Sequence, residues 1–145
     1  MTPVDDGRCF ACGPENEIGL HLQFEPDGSD GVRAVTMLRP EFQGWQNIAH
    51  GGIALALLDE AMAHAAGFAG YRGVTATMNA RFRKPVPLDA RLQVEGRVKW
   101  QRRNVLELQA RVVDEHGAVL VEGEGRFVSQ GKIEDVHDRR NPESG

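Results

Sequence analysis

The sequence predicts an α+β domain in which a mainly antiparallel sheet encloses one long helix. Three observations lead to this prediction. The 145 residues suffice for one domain with a buried core and are too few for two. Only the segment 51–66 has the composition of a long helix, and the residues after it alternate between apolar and polar with the period of two typical of strands.

The first two predicted strands form a hairpin. Leu20, Leu22 and Phe24 alternate with polar residues, which indicates a half-buried strand that ends at Pro26. Turn residues occupy 27–31, and we expect 32–37 to return as the second strand.

The predicted helix consists mostly of alanine and leucine, and Gly67 and Gly70 are expected to end it. It is apolar on nearly every face, and such a helix is normally enclosed. Because one sheet covers only one side of a helix, we expect a second copy of the same chain to cover the rest.

Four further strands are predicted after the helix, over 74–82, 92–100, 105–113 and 118–128. In the first of these, alternation sets Thr75 on the opposite face from Ala76 and Met78. Asp114 to Gly117 reads as a hairpin turn, with the glycine where a positive φ is needed. The element order is therefore β-β-α-β-β-β-β.

The chain divides into an N-terminal segment (1–19), the folded domain (20–128) and a polar tail (129–145) that we expect to be poorly ordered unless a partner holds it. The composition, 41% hydrophobic and 26% charged, is that of a globular protein without a membrane span. The net charge of -4 argues against a nucleic-acid or anionic-membrane binder. The polar, acidic start has no secretory character, so we expect a cytoplasmic protein.

Cys9 and Cys12 form a CxxC motif. A structural zinc site normally takes four ligands, for which His21 could be a third and His137 or a partner chain a fourth. The favoured interpretation is a tight turn that ends at Gly13, with small buried thiols and no metal.

The helix carries an acid, Asp59, in an otherwise apolar stretch, and two glycines, Gly51 and Gly52, at its start. A glycine inside a helix costs about 0.5–1 kcal/mol relative to alanine, so the pair indicates that something approaches the backbone closely. Unpaired N–H groups at a helix start suit an anion or a carbonyl that gains negative charge. The alternatives are a flexible loop for the glycines and a solvated helix edge for Asp59.

Asp59 lies about 10 Å beyond Gly52 along the same helix face. A base or nucleophile must come within about 3 Å of the reacting group or reach it through one water. Within one chain, Asp59 therefore does not easily reach a group that is bound at the glycine amides. Two antiparallel helices across a dimer axis would set Asp59 of one chain beside Gly51 and Gly52 of the other.

The stretch HGGIALALLDE, followed by TATMNARFRKPVP and preceded by CFACGPENEIGLHLQF, resembles the hotdog-fold acyl-CoA thioesterases. It is most similar to the PaaI-like branch of the 4-hydroxybenzoyl-CoA thioesterase superfamily, and the resemblance extends from about Cys9 to Val128. It implies a hotdog fold, a homodimer that often pairs into a homotetramer, an acyl-CoA substrate, and no metal or redox cofactor.

The resemblance also implies residue roles. The Asp59 carboxylate would attack the thioester carbonyl or activate water, and the Gly51 N–H would polarise the carbonyl oxygen. The Thr75 hydroxyl would hold the water or the carboxylate, and His50 would fix the loop or the thioester. Gly52 would also contact the substrate.

One position departs from the family pattern. Many relatives have an asparagine six residues before the histidine of HGG, where this chain has Gly44. Gln43, Gln46 and Asn47 lie nearby, and we expect Gln43 and Asn47 to contact the substrate.

Two other polar residues of the helix compete for a role. Glu60 is turned about 100° from Asp59 around the helix axis, so both acids cannot face one cleft equally, and Asp59 is favoured. We expect His64 to be a packed or hydrogen-bonded residue rather than a catalyst.

Basic residues near the strands are candidates for the phosphates of coenzyme A. Arg83 and Lys84 are preferred, and Arg102 with Arg103 forms a second group; the alternative is a solvated sheet face.

The leading hypothesis is hydrolysis of an acyl-CoA to a free acid and coenzyme A, with the acyl chain in a slot between two helices lined by Ile53 and Leu57. The alternative is a non-catalytic acyl-CoA-binding hotdog dimer that acts as a ligand sensor. A hotdog hydratase fits less well, because it would require an aspartate and a histidine that cooperate at the helix start.

Overall fold

A computed structural model describes residues 4–132 as a six-stranded sheet packed on one helix. The elements are β1 (Glu25–Asp27), β2 (Gly31–Thr36), a 3₁₀ turn (Pro40–Phe42), α1 (Gly51–Phe68), β3 (Tyr71–Phe82), β4 (Leu92–Arg102), β5 (Val105–Asp114) and β6 (Val119–Lys132). The strands are ordered β1-β2-β4-β5-β6-β3, and every neighbouring pair is antiparallel. The predicted fold class and element order are confirmed.

The first strand differs from its prediction. Residues 20–24 are not in the sheet, because the Leu20 and Leu22 amides donate to the carbonyls of Phe10 (2.8 Å) and Ala11 (2.9 Å). The alternation of burial is nevertheless present in this segment. Pro26, expected to end a strand, lies inside β1 and faces β2, a position that proline tolerates because β1 is at the sheet edge.

The helix α1 runs two residues beyond its predicted end. Gly67 lies inside it, so the prediction that Gly67 ends the helix is wrong. Ala69 caps the helix, and Gly70 follows with a φ of +100°, a conformation that few other residues adopt. The helix residues that are buried in the core are Ala54, Leu57, Leu58, Ala61, Met62, Ala65 and Ala66.

The helix rests directly on the backbone of β4. A Cβ atom on Gly96 would lie 2.2 Å from the carbonyl oxygen of Ala61, so no other residue fits there without moving the helix. Gly125 on β6 similarly faces Met62, with a Cβ position 3.2 Å from its sulfur. This close approach fixes how deep the middle of α1 lies on the sheet.

The N-terminal segment covers part of the helix that we expected a second copy to cover. Ala11, Leu20 and Leu22 are buried in the same core as the helix residues. Arg39 holds this segment in place, because its Nη2 atom donates to the carbonyls of Ile18 and Gly19, each at 3.1 Å. A partner chain therefore has less of the α1 surface to cover than the apolar composition of the helix indicates.

The C-terminal strand is longer than predicted, since β6 continues to Lys132 and pairs there with Tyr71. The rest of the predicted tail, including His137, lies outside the described residues. The hairpin turn at 114–117 is confirmed: Gly117 has a φ of +85°, and the Asp114 carboxylate accepts from the amides of His116 and Ala118, each at 2.9 Å. These backbone hydrogen bonds hold the pKa of Asp114 below its usual value.

Within residues 4–132, no helix is both long enough and apolar enough to span a bilayer.

Because Gly96 contacts the helix directly, even a small side chain at this position should destabilise the fold. We expect Gly96→Ala to lower the free energy of unfolding by about 1–3 kcal/mol, because the added methyl group forces α1 off the sheet. Urea unfolding measures this change. The matched control, Gln109→Ala on the exposed face of β5, should change stability by less than about 0.5 kcal/mol. Equal stabilities of the two variants would contradict the packing described above.

Candidate active site

Asp59 is half-buried on α1 and is held by one residue of β3. The Thr75 hydroxyl donates to Oδ1 of Asp59 at 2.6 Å, the length typical of a hydrogen bond to an ionised carboxylate. Among the residues that the structure describes, Oδ2 has no hydrogen-bond partner. The pair, which we call the carboxylate half of the site, therefore presents one free carboxylate oxygen.

A β-bulge brings Thr75 to the helix. Thr75 pairs with Phe127 of β6, whereas Thr77 pairs with Arg126, so Ala76 is an extra residue in β3. Simple alternation predicts Thr75 on the face away from Met78, and this prediction is wrong. The bulge shifts the alternation by one residue, which turns the Thr75 side chain toward Asp59.

The start of α1 supplies the amide half of the site, which comprises His50, Gly51 and the neighbouring Phe82. His50 is the N-cap, and its Nδ1 atom accepts the N–H of Gly52 at 2.9 Å. Over residues 4–132, the N–H of Gly51 donates to no acceptor. Since the Gly52 amide is already engaged, Gly51 is the residue left to bind an oxygen of a ligand.

The loop before the helix has no room for the asparagine found in many relatives. A Cβ atom on Gly44 would lie 2.9 Å from Cα of His50. Gln43 uses its side-chain oxygen inside the loop, where it accepts the N–H of Asn47 at 3.2 Å, and Asn47 adopts a φ of 63°. Both side chains are exposed, so they remain candidates for contact with a substrate.

The two halves do not meet within one chain. Gly51 and Asp59 are eight residues apart on the same helix, about 12 Å along its axis. The two halves lie at different positions along β3, because Thr75 is the fifth residue of this strand and Phe82 is the last. The Phe82 ring lies 3.8 Å from the Cβ position of Gly51 and is 54% exposed.

The second acid of the helix faces elsewhere, as predicted from its angle. Glu60 accepts from the Cys9 thiol (3.7 Å to Oε2) and contacts Nε2 of His64 at 3.1 Å, and its side chain is only 13% exposed. Burial raises the pKa of Glu60, but hydrogen bonds from His64 and Cys12 outweigh burial and leave its pKa below the usual value. Burial, together with Glu60, raises the pKa of the Cys12 thiol.

Sequence reasoning missed this convergence of the CxxC motif with α1. The turn itself was predicted and is present, with the Gly13 amide donating to the Cys9 carbonyl at 2.8 Å. The four-residue spacing of Glu60 and His64 indicates that these side chains are neighbours on the helix. Nothing in the sequence indicates that Cys9 and Cys12, about fifty positions earlier, lie beside them.

The predicted phosphate-binding residues lie just after β3. Arg83 forms an ion pair with Glu122, whereas Lys84 is exposed and makes no ion pair with a described residue. Arg102, the last residue of β4, and Arg103, in the turn that follows it, are both exposed.

The two residues predicted to line the acyl slot have different environments. Ile53 is half-buried, but Leu57 is completely buried in the chain's own core and does not line a slot.

A cavity of about 500 Å³ lies on the other face of the sheet. Arginines and acids of β3 to β6 line it, among them Arg81, Arg111 and Glu122, and none of the predicted site residues does. Several of these charges neutralise one another in ion pairs, such as Arg111 with Glu95. The candidate catalytic residues therefore lie on the face of the sheet that packs against α1, and not in this cavity.

Comparison with known proteins identifies relatives. The family model described as thioesterase superfamily matches residues 46–121. A crystal structure of a thioesterase superfamily protein is similar with a TM-score of 0.80 and 28% identity, covering 84% of this chain; this chain spans only 60% of that protein. No curated protein matches the sequence significantly.

Two more distant structures share the fold. A hypothetical thioesterase from Streptococcus pneumoniae, solved with coenzyme A, has 20% identity and a TM-score of 0.72 over 77% of this chain and 90% of its own. The Escherichia coli PaaI protein from the phenylacetic acid degradation operon has 17% identity and a TM-score of 0.72 over 78% and 82%. These neighbours confirm the hotdog fold. Two further structures of the Streptococcus protein carry alanine in place of an aspartate and of a threonine sixteen positions later.

The capping role of His50 predicts a stability effect. We expect His50→Ala to lower the free energy of unfolding by about 0.5–2 kcal/mol, because the Gly52 amide loses its acceptor. His50→Asn should stay close to the wild type, since asparagine is a good N-cap. Urea unfolding of both variants measures the difference, and an alanine variant as stable as the asparagine variant would rule out the capping role.

Proposed function

The chain belongs to the thioesterase superfamily, and we propose that it hydrolyses acyl-CoA thioesters to a free carboxylic acid and coenzyme A. The observation that carries the proposal is the 2.6 Å hydrogen bond that holds the Asp59 carboxylate on Thr75. An aspartate and a threonine with the same sixteen-residue separation were replaced by alanine in the Streptococcus protein.

Asp59 supplies the reactive oxygen in this proposal. Thr75 engages Oδ1 and thereby fixes the carboxylate, so that Oδ2 either attacks the thioester carbonyl carbon or takes a proton from an attacking water. Either route requires an ionised carboxylate. On both routes the carbon–sulfur bond breaks and the thiolate of coenzyme A leaves. Attack by water gives the free acid directly, whereas attack by Oδ2 leaves a mixed anhydride on Asp59 that water then hydrolyses to the free acid and the carboxylate.

Gly51 stabilises the negative charge that develops on the carbonyl oxygen. Its N–H has no other acceptor among residues 4–132 and lies at the helix start, where the helix dipole is positive. A glycine at this position also leaves space for the thioester beside the Phe82 ring.

A homodimer brings the two halves together. Among residues 4–132, β3 forms one edge of the sheet, and Val74 and Phe82 on it are 46% and 54% exposed. An edge strand with exposed apolar side chains suits pairing with another chain. Two β3 strands that pair antiparallel about a twofold axis form one continuous sheet and present identical surfaces to each other.

The register of this pairing follows from the site. The carboxylate half is fixed at Thr75 and the amide half at Phe82. A twofold axis between Met78 and Asn79 sets Thr75 opposite the partner's Phe82. The Asp59 carboxylate of one chain then faces the amide half of the other, and each dimer contains two identical sites.

Coenzyme A is the proposed carrier of the acyl group, consistent with its presence in the Streptococcus neighbour. Lys84 is the better placed of the two preferred phosphate contacts, because Arg83 is already paired with Glu122. Arg102 and Arg103 remain a second candidate group for the phosphates.

Replacement of the carboxylate tests the chemistry. We expect Asp59→Asn to reduce kcat by about a hundredfold or more with little change in KM, because the amide is neither a base nor an effective nucleophile. Thiol release from short-chain, long-chain and aromatic acyl-CoA measures activity. Glu124→Gln on the exposed sheet face is the control and should be unchanged. Full activity in Asp59→Asn would remove the mechanism, and a wild type that binds acyl-CoA without hydrolysis would instead favour a sensor.

Mixing two inactive variants tests whether the site is shared. Asp59→Asn lacks the carboxylate half, and Gly51→Val blocks the amide half, so a mixed dimer keeps one intact site. Co-expression should restore about a quarter of the wild-type activity, since half the dimers are mixed and each has one working site. Co-expression of Asp59→Asn with Thr75→Val, two lesions in the same half, should restore none. If the first mixture stays inactive as well, the site does not bridge two chains.

A further inference from the structure

We propose that Cys9, Cys12 and Glu60 bind a zinc ion. Their ligand atoms all lie within 4.8 Å of one another, although the CxxC motif and the helix residue are about fifty positions apart in the chain. The proposal is independent of the thioesterase function, because it uses none of the residues assigned to that chemistry.

The distances suit a tetrahedral ion. Bonds of about 2.3 Å to sulfur and about 2.0 Å to oxygen set the ligand atoms of a tetrahedral zinc site about 3.5–3.8 Å apart. The Cys9 sulfur lies 3.7 and 3.9 Å from the two oxygens of Glu60. All three ligand atoms lie within 4.8 Å of one another, so rotations of the three side chains can enclose an ion that takes a water molecule as its fourth ligand.

The backbone around the two cysteines is built tightly. The Gly13 amide closes the turn onto the Cys9 carbonyl, and a Cβ atom on Gly13 would lie 2.3 Å from the Cys9 nitrogen. The turn therefore accepts only glycine after Cys12, and it holds both thiols on the side of α1. A two-residue gap between cysteines is a ligand spacing of structural zinc sites.

Glu60 is oriented by a second layer of contacts. His64, one turn further along α1, lies 3.1 Å from Oε1 of Glu60. The His64 ring is in turn stacked on Phe24, with ring centroids 4.7 Å apart and an angle of 23° between the planes. Such support of a ligating group is typical of metal sites, and we assign His64 as a positioning residue rather than a ligand.

The donor set selects the metal. Two thiolates and one carboxylate exclude magnesium and calcium, which prefer oxygen ligands only, and favour zinc. The two thiols release their protons to solvent when the ion binds. The bound ion ties the N-terminal segment to the middle of α1, one residue from Asp59, and so stabilises the folded chain.

Cobalt substitution of the full chain tests the site. Wild-type protein loaded with Co²⁺ should bind one ion per chain and show thiolate-to-cobalt charge-transfer absorption, and excess Zn²⁺ should abolish that absorption. Cys9→Ser and Cys12→Ser should each lose the absorption, and Glu60→Gln should bind at least about tenfold more weakly. The matched controls, Asp59→Asn on the same helix and His21→Ala outside the cluster, should bind as the wild type does.

A second measurement on unmodified protein keeps the test decisive if a variant fails to fold. Zn²⁺ should slow the alkylation of both thiols by a maleimide reagent at least about tenfold and raise the Tm, and a chelator should reverse both effects. Alkylation at the same rate with and without Zn²⁺, or cobalt absorption that survives in Cys9→Ser and Cys12→Ser, would overturn the proposal.

Discussion

The distance between the Asp59 carboxylate and the Gly51 amide along one straight helix is the constraint on which the proposed chemistry depends. Eight helical residues separate them by about 12 Å, and no side-chain rotation closes that gap. In the proposed homodimer this gap is closed across β3, an edge strand of the described sheet that carries Thr75 of one half of the site and Phe82 of the other. If β3 pairs with the β3 of a second copy, Asp59 of one chain lies beside Gly51 of the other.

The depth of the helix on the sheet sets the position of its carboxylate. Gly96 lets the middle of α1 approach the strands more closely than any larger residue permits. At this depth the bulge at Ala76 presents the Thr75 hydroxyl to Asp59. Gly96, which packs against Ala61 two residues from Asp59, thus contributes to the geometry of the Asp59–Thr75 hydrogen bond.

The sequence was sufficient to predict the class of fold, because alternation and one apolar helix are local patterns. It also placed Asp59 and Glu60 on different sides of α1, since that follows from the helical angle. It could not predict the bulge that reverses the direction of Thr75, because one inserted residue leaves the apolar pattern of β3 almost unchanged. Nor could it predict that the segment before β1 folds over α1, because a contact such as that of Cys9 with Glu60, 51 positions apart, leaves no local signature.

The two neighbouring acids of α1, Asp59 and Glu60, have different surroundings and therefore suit different roles. Glu60 is mostly enclosed by groups of its own chain, and its carboxylate contacts Cys9 and His64, so it serves to hold the segment before β1. Among the residues that the structure describes, Asp59 has one hydrogen-bond partner and one free oxygen, and it faces β3, an edge strand of the sheet. A carboxylate can act on a substrate only if its surroundings leave an oxygen available, and on this helix that condition is met by Asp59.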